Sequence, residues 1–507
     1  MASAAGPAFS PNWAGKVATG GVFTGVSGNW TVPSVVASQT MESSATWIGI
    51  DGTAAPTLIQ TGTTSETFAG ATSYFAWYEM LPAPPVALGP VVPGDRMAAT
   101  IQEVAAGTWN ISIRDLSLNV GFSNAFAYST PGQSADWIEE APFNVALGQV
   151  ETLADYGSVT FTNMDFSGSS PVVPLTSWFM TDASGQNIIS YPSPFDPVTK
   201  SFTVTFGSPP VPKPTTRVFG ADRVATSVQA SQSTFPAAGS AGAAVLANFT
   251  AFADALPGVP LAVAKHAPLL LSPGDALDGR VAAELQRALP AGATVYLLGG
   301  PLALSAPLAA QVQALGFTVV RYGGATRFQT ASIIADQGLR DPTVILEATG
   351  LNFPDALAGG AAAAHLGGAI LLTIGTTQAP ETAAYLAAHP PTTKYALGGP
   401  AAAADPAATA VAGADRYQTA TLVAALVPAP TVVGVASGTT FADALSGGAN
   451  IGAAGGPMVL VPPSGPLPAP VQAYLTANKA SIASAVVFGG PLAVGDDVVQ
   501  EVTAAIT

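Results

Sequence analysis

A threefold internal repeat after residue 214 narrows what this chain can fold into more than any other feature. Ala221-Asp222-Arg223-Val224-Ala225-Thr226 returns as Ala325-Thr326-Arg327-Phe328-Gln329-Thr330 and again as Ala414-Asp415-Arg416-Tyr417-Gln418-Thr419. Phe252-Ala253-Asp254-Ala255-Leu256 returns as Phe353-Pro354-Asp355-Ala356-Leu357 and as Phe441-Ala442-Asp443-Ala444-Leu445. A Gly-Gly-Pro turn follows at 299–301, 398–400 and 489–491, which makes the Asp-to-Gly-Gly interval 45, 43 and 46 residues. Constant order and spacing define three modules. Strand-like apolar runs at 243–246, 294–298, 343–346, 369–373, 431–435 and 485–488 alternate with Ala-rich amphipathic stretches. That is the pattern of parallel α/β units.

The first 207 residues read differently. Short alternating runs rich in Val, Ile, Thr, Phe and Trp, at 22–32, 45–50, 74–79, 108–116 and 158–163, are separated by Gly, Pro, Asn and Ser clusters. Many short strands at this spacing predict an antiparallel all-β sandwich. The two halves meet at Ser208-Pro209-Pro210-Val211-Pro212-Lys213-Pro214-Thr215-Thr216, which favours an extended polyproline spacer and cannot continue a sheet. The expected organisation is multidomain: a sandwich over 1–207, a linker over 208–216, and modules over 217–315, 316–405 and 406–507.

Composition excludes several function classes. A net charge of −15 with only 9% charged residues argues against a nucleic-acid partner, which needs clustered Lys and Arg. The front 213 residues hold 15 acids against 5 bases, a balance suited to an acidic medium, where protonation removes self-repulsion. Cysteine is absent, so disulfides, thiolate chemistry and Cys-ligated zinc are excluded. The three histidines, His266, His365 and His389, all lie in the back half; a His-dependent triad in the front domain is impossible. The N-terminus has neither a basic start nor an apolar core, and the expectation is a signal peptide removed before residue 1 or another export route. The charge-free stretch 356–380 is broken by Gly359-Gly360 and Gly367-Gly368, so it reads as a buried helix and strand and no transmembrane segment is expected.

Eight pieces of the front half follow one another in this order: Asn12-Trp13-Ala14-Gly15, Trp30-Thr31-Val32-Pro33, Trp47-Ile48-Gly49-Ile50-Asp51-Gly52, Ile59-Gln60-Thr61-Gly62, Ala76-Trp77-Tyr78-Glu79, Pro93-Gly94-Asp95, Asp136-Trp137-Ile138-Glu139-Glu140-Ala141-Pro142 and Gly157 to Asn163. In this order they resemble the eqolisin family of glutamic peptidases. The resemblance implies a sandwich of two antiparallel sheets and an acid-acting, pepstatin-insensitive endopeptidase. It also implies a catalytic pair, Gln60 and Glu140. Alternation along a strand puts Glu140 on the face of Ile138 and Glu139 on the face of Trp137, so the two acids cannot line one groove. In the implied chemistry Glu140 serves as general base and then acid, and the Gln60 amide stabilises the oxyanion and positions water. No metal, cofactor or covalent nucleophile is required. Trp47, Asp51, Trp77, Tyr78 and Glu79 are candidates to line the substrate groove. Their plainer readings are core packing for the aromatics, a turn for Asp51 and a solvated strand position for Glu79.

The back half resembles cell-wall-binding repeats of type 2, which implies three small α/β units about a pseudo-threefold axis and an anionic wall polymer as partner. Arg223, Arg327 and Arg416 occupy matching positions, and an arginine fork suits phosphate or carboxylate; alternatively each is a buried partner of Asp254, Asp355 or Asp443. The apolar triplets at 269–271, 370–372 and 458–460 are either ligand-contacting or core strands. Thr326, in place of the acid before Arg327, and Met458-Val459 suggest a divergent second and third module. The expectation is a secreted, wall-anchored acid endopeptidase acting on polypeptides. The alternative is a non-catalytic surface adhesin or S-layer-type protein with a lectin-like sandwich.

Overall fold

The computed structural model describes residues 6–144, 147–168 and 175–507. The chain forms two compact units, 1–210 and 211–507.

The first unit is all β. One long ladder runs in the order Val120–Ala127, Thr108–Asp115, Arg96–Ala105, Phe23–Thr31 and Ser158–Gly168, then through Phe202–Phe206 and Ile188–Pro192 to Leu175–Thr181. It continues through Trp13–Thr19, Ser134–Glu140, Glu42–Asp51, Leu58–Phe68, Ala71–Met80 and Val86–Pro90. The two ends of this ladder face each other as a sandwich. Buried Trp30, Ile48, Ile50, Ile59, Ile101, Ile111, Trp137 and Phe161 fill the space between them. Polar pins tie the layers: Trp30 Nε1 donates to Thr63 Oγ1 at 3.0 Å, and Trp137 Nε1 to the Ser27 carbonyl at 2.8 Å. Both indoles are thus satisfied within an apolar core. The all-β expectation holds because period-2 sequences can bury one face only by stacking sheets.

The second unit contains three four-stranded parallel sheets, as the repeats predict. Their central strands are Ala243–Asn248, Val344–Thr349 and Val432–Ser437, each paired on both sides. The edge strand of each sheet comes from the next repeat: Thr318–Tyr322 joins the first sheet and Thr409–Val411 the second. The third sheet takes Thr215–Val218, beside Ser484–Phe488. The last residues of the expected linker, Thr215 and Thr216, are therefore the start of a strand that closes the ring of modules.

Helices Gly258–Ala264, Pro354–His365 and Ala442–Ala453 meet at the centre of this ring. Gly360 and Gly448 permit the approach, since a Cβ on either would lie 2.8 and 3.2 Å from the Val259 side chain. Phe252, Phe353 and Phe441 form a near-equilateral triangle with ring centroids 5.6, 5.8 and 6.0 Å apart. The charge-free stretch resolves into the Pro354–His365 helix and the Ala369–Thr373 strand. No helix among the described residues is long and apolar enough to cross a membrane.

Candidate functional site

Strand register decides which side chains of the first unit share a surface. Across Trp13–Thr19, Ser134–Glu140, Glu42–Asp51, Leu58–Phe68 and Ala71–Met80, opposed residues form three lateral rows. One row is Trp13, Glu140, Ala45, Thr64 and Phe75. The next is Gly15, Ile138, Trp47, Gly62 and Trp77, which Trp178 joins from the outer strand opposite Gly15. The third is Val17, Asp136, Gly49, Gln60 and Glu79. All of these point away from the sandwich core, because paired residues share a face. Gln60 and Glu140 therefore lie on the same face, one row apart from Trp47 on either side.

Glu140 is gripped from two directions. Asn12 Nδ2 donates to its Oε1 at 2.9 Å, and Trp47 Nε1 donates to its Oε2 at 2.7 Å. Burial pushes this carboxyl up to about 7, against the downward pull of hydrogen bonds from Trp13, Trp47 and Asn12. Gln60 is 4% exposed and its Nε2 donates to Glu79 Oε2 at 2.6 Å. Its Oε1 is buried with no protein partner. Glu79 is itself held above the usual carboxylate range by burial. Gln60 and Glu140 share no hydrogen bond: their amide and carboxylate are each engaged by other groups.

Glu139 lies on the core face, as alternation requires. It is fully buried, accepts from Thr46 Oγ1 at 2.6 Å, and is pushed up to about 8 by desolvation. Asp136, on the Gln60 row, is also fully buried and raised well above its ordinary value by desolvation. Two carboxyls three residues apart, Asp136 and Glu139, are thus both pushed toward the protonated form on opposite faces of one strand.

The other groove candidates separate. Trp47 and Trp77 are buried on the Glu140 face, in a cluster with Val17, Leu58 and Ile138. Tyr78 is not with them: it points to the opposite face, stacked at 5.1 Å on Phe122 and 5.0 Å from Phe126. Neighbouring strand residues cannot share a face, so Trp77 and Tyr78 were incompatible as joint groove residues. Asp51 takes the turn role. It sits at φ 70° and its carboxylate accepts from Thr130 Oγ1 and from the Gly132 amide at 2.8 Å. Asn12 and Trp13 received no role from the sequence; the only signal for them was the Asn-Trp-Ala-Gly piece that opens the ordered series.

In the second unit, Arg223, Arg327 and Arg416 place one guanidinium nitrogen on the carbonyl of Phe249, Gly350 and Gly438, at 2.8, 2.6 and 2.5 Å. Arg223 also lies over the rings of Phe249 and Phe441, and Arg327 over Phe252. The carboxylates that Arg416 and Arg223 approach belong to other modules. Burial raises Asp355 to about 6 and the charge of Arg416 opposes it; burial likewise raises Asp443, opposed by a hydrogen bond from Thr226 and the charge of Arg223. The three apolar triplets are fully buried strands. Asp222, Thr326 and Asp415 each cap the helix that follows by accepting a backbone N–H. Thr326 is therefore a like-for-like N-cap, not a mark of divergence. Asp336, Asp341 and His389 bring three possible ligand atoms within 4.8 Å of one another, with His389 Nδ1 3.2 Å from Asp341.

The chain therefore joins a two-sheet all-β domain, with carboxyl and amide groups on one sheet face, to a unit built from three parallel α/β repeats. Residues 11–191 match the Peptidase A4 family, and residues 217–309, 321–407 and 410–499 match cell wall binding domain 2 (CWB2). The chain belongs to the Peptidase A4 family through its first domain and carries three CWB2 repeats over more than half its length. Aspergillopepsin-2 of Aspergillus niger is 32% identical over 193 residues, which cover 33% of this chain and 68% of that protein. The N-acetylmuramoyl-L-alanine amidase LytC of Bacillus subtilis is 30% identical over 239 residues, covering 46% of this chain and 47% of its own. The chain thus spans about half of the amidase. The structure of Cwp6 from Clostridium difficile shares the fold, with a TM-score of 0.52 and 18% identity over 79% of this chain and 66% of that one.

Proposed function

We propose that this protein is a secreted, wall-anchored endopeptidase that hydrolyses polypeptides with Glu140, Gln60 and one activated water, without metal or cofactor. The reading is carried by one observation: Glu140, oriented by Asn12 and Trp47, shares a sheet face with a Gln60 amide fixed by Glu79. Glu140 takes a proton from water as the hydroxyl attacks the scissile carbonyl, then returns it to the leaving amine. With one Nε2 hydrogen held by Glu79, the other is free for the oxyanion, and such a donor is worth roughly 10²–10³ in rate. A base near 7 is a strong one but is mostly protonated in strong acid. The ionised, base-competent fraction of Glu140 therefore shrinks as the pH drops below about 7, and activity is expected to fall with it.

The three CWB2 repeats hold the enzyme on an anionic wall polymer, with Arg223, Arg327 and Arg416 as its contacts. The proposed organisation is a peptidase domain to 207, a linker over 208–214 and modules over 217–315, 316–405 and 406–507, with the strand Thr215–Val218 completing the last sheet.

The test is cleavage of a peptide pool between pH 3 and 8, with pepstatin present. Wild type is expected to cleave; Glu140→Gln is expected to lose at least about 10³ in kcat, while Glu139→Gln retains activity. Equal activity in Glu140→Gln would sink the assignment. Co-sedimentation of the chain with purified wall material tests the anchor; substituting all three arginines by Gln should leave the protein in the supernatant.

A further inference from the structure

We propose that Trp178, with Trp13, forms the binding wall for an aromatic side chain next to the scissile bond, which makes Trp178 a specificity-determining residue of this peptidase. The proposal rests on the peptidase reading and deepens it by naming a substrate class.

The lateral rows are chemically asymmetric about Trp47. On one side lie carboxyl and amide groups, Asp136, Gln60 and Glu79. On the other side Glu140 is bordered by indoles. Trp13 stands next to Glu140 in register and meets Trp47 edge to face at 5.0 Å. Trp178, on the next strand outward, lies 6.0 Å from Trp13 with the ring planes 47° apart. Gly15, opposite Trp178, carries no side chain, so nothing on the intervening strand separates Trp178 from Ile138 in that row. Trp47 is fully buried, whereas Trp13 and Trp178 are only partly so. The outer two indoles are therefore open to a ligand and the inner one is not.

These positions fix how a peptide can lie. Its scissile carbonyl oxygen must turn toward the Gln60 amide and its attacked carbon toward Glu140. The flanking side chain on the Glu140 side then falls on Trp13 and Trp178. Two tilted indoles offer a large apolar area with edge and face contacts for a ring. An aromatic residue fits this wall; Gly or Ala leaves it empty.

The experiment compares kcat/KM for a set of peptides differing only at the residue beside the cleaved bond, for wild type, Trp178→Ala and Trp178→Phe. Wild type should prefer Phe, Tyr or Trp over Ala by at least about 10-fold. Trp178→Ala should bring that ratio to within about threefold, through KM with kcat unchanged, and Trp178→Phe should fall between. On the Ala peptide the three proteins should differ by less than they do on the Phe peptide. Should Trp178→Ala fail to give a cooperative melt, the ratio in Trp178→Phe decides. An unchanged aromatic preference in the folded variants overturns the role of Trp178 alone. A wild type that cleaves none of the peptides overturns the peptidase reading itself.

Discussion

Gln60 and Glu79 are directly opposed across two antiparallel strands, and the Gln60 amide donates to the Glu79 carboxylate at 2.6 Å. This contact decides which way the amide points, because the Gln60 Oε1 has no partner to hold the flipped orientation. Glu79→Gln keeps size and shape but replaces a charged acceptor by a neutral one. In the proposed mechanism kcat should fall by about 10- to 100-fold with KM little changed. Steady-state kinetics check this, and a melt within a few degrees of wild type separates it from unfolding.

Gly62 lies in the Trp47 row, where a Cβ would come within 2.3 Å of the Thr46 carbonyl and 2.5 Å of Trp47 Cβ. Both are firmly seated atoms in a buried sheet. Gly62→Ala should therefore destabilise the first unit by about 1–3 kcal/mol and displace Trp47 from Glu140. Urea unfolding followed by tryptophan fluorescence reads both effects.

Glu139 gives the first unit a pH-dependent stability of defined sign. Its folded-state value, about 8, lies above the ordinary 4.5 because burial disfavours the charge. The folded state therefore binds its proton more tightly than the unfolded chain. The associated stability is complete below about pH 4.5 and is lost as pH rises through 8, by on the order of 5 kcal/mol. Melting temperatures from pH 4 to 8 should fall steadily in wild type and more shallowly in Glu139→Gln. A curve that rises with pH would contradict the assignment.

Asp355 and Arg416 come from different modules, and burial raises the acid to about 6 against the opposing charge of the arginine. Removing the charge should let burial act unopposed. Arg416→Gln is expected to move Asp355 further upward, readable by carboxyl-carbon NMR titration. The lost hydrogen bond to Gly438 should cost about 1–3 kcal/mol in thermal stability.

The sequence alone carried the class of both halves, since a period-2 pattern and a threefold α/β repeat are local properties that packing has only to satisfy. The faces of Glu139 and Glu140 were also legible, because strand parity is set by the backbone. Parity should likewise have separated Trp77 from Tyr78. What a linear pattern does not contain is the pairing of strands distant in the chain. Only that pairing set Asn12 beside Glu140, Glu79 against Gln60, Trp178 beside Trp13, and Thr215–Val218 into the sheet of the last repeat. Desolvation followed from the same step: Asp136 and Glu139 read as ordinary carboxylates until the folded sheets took water away from them.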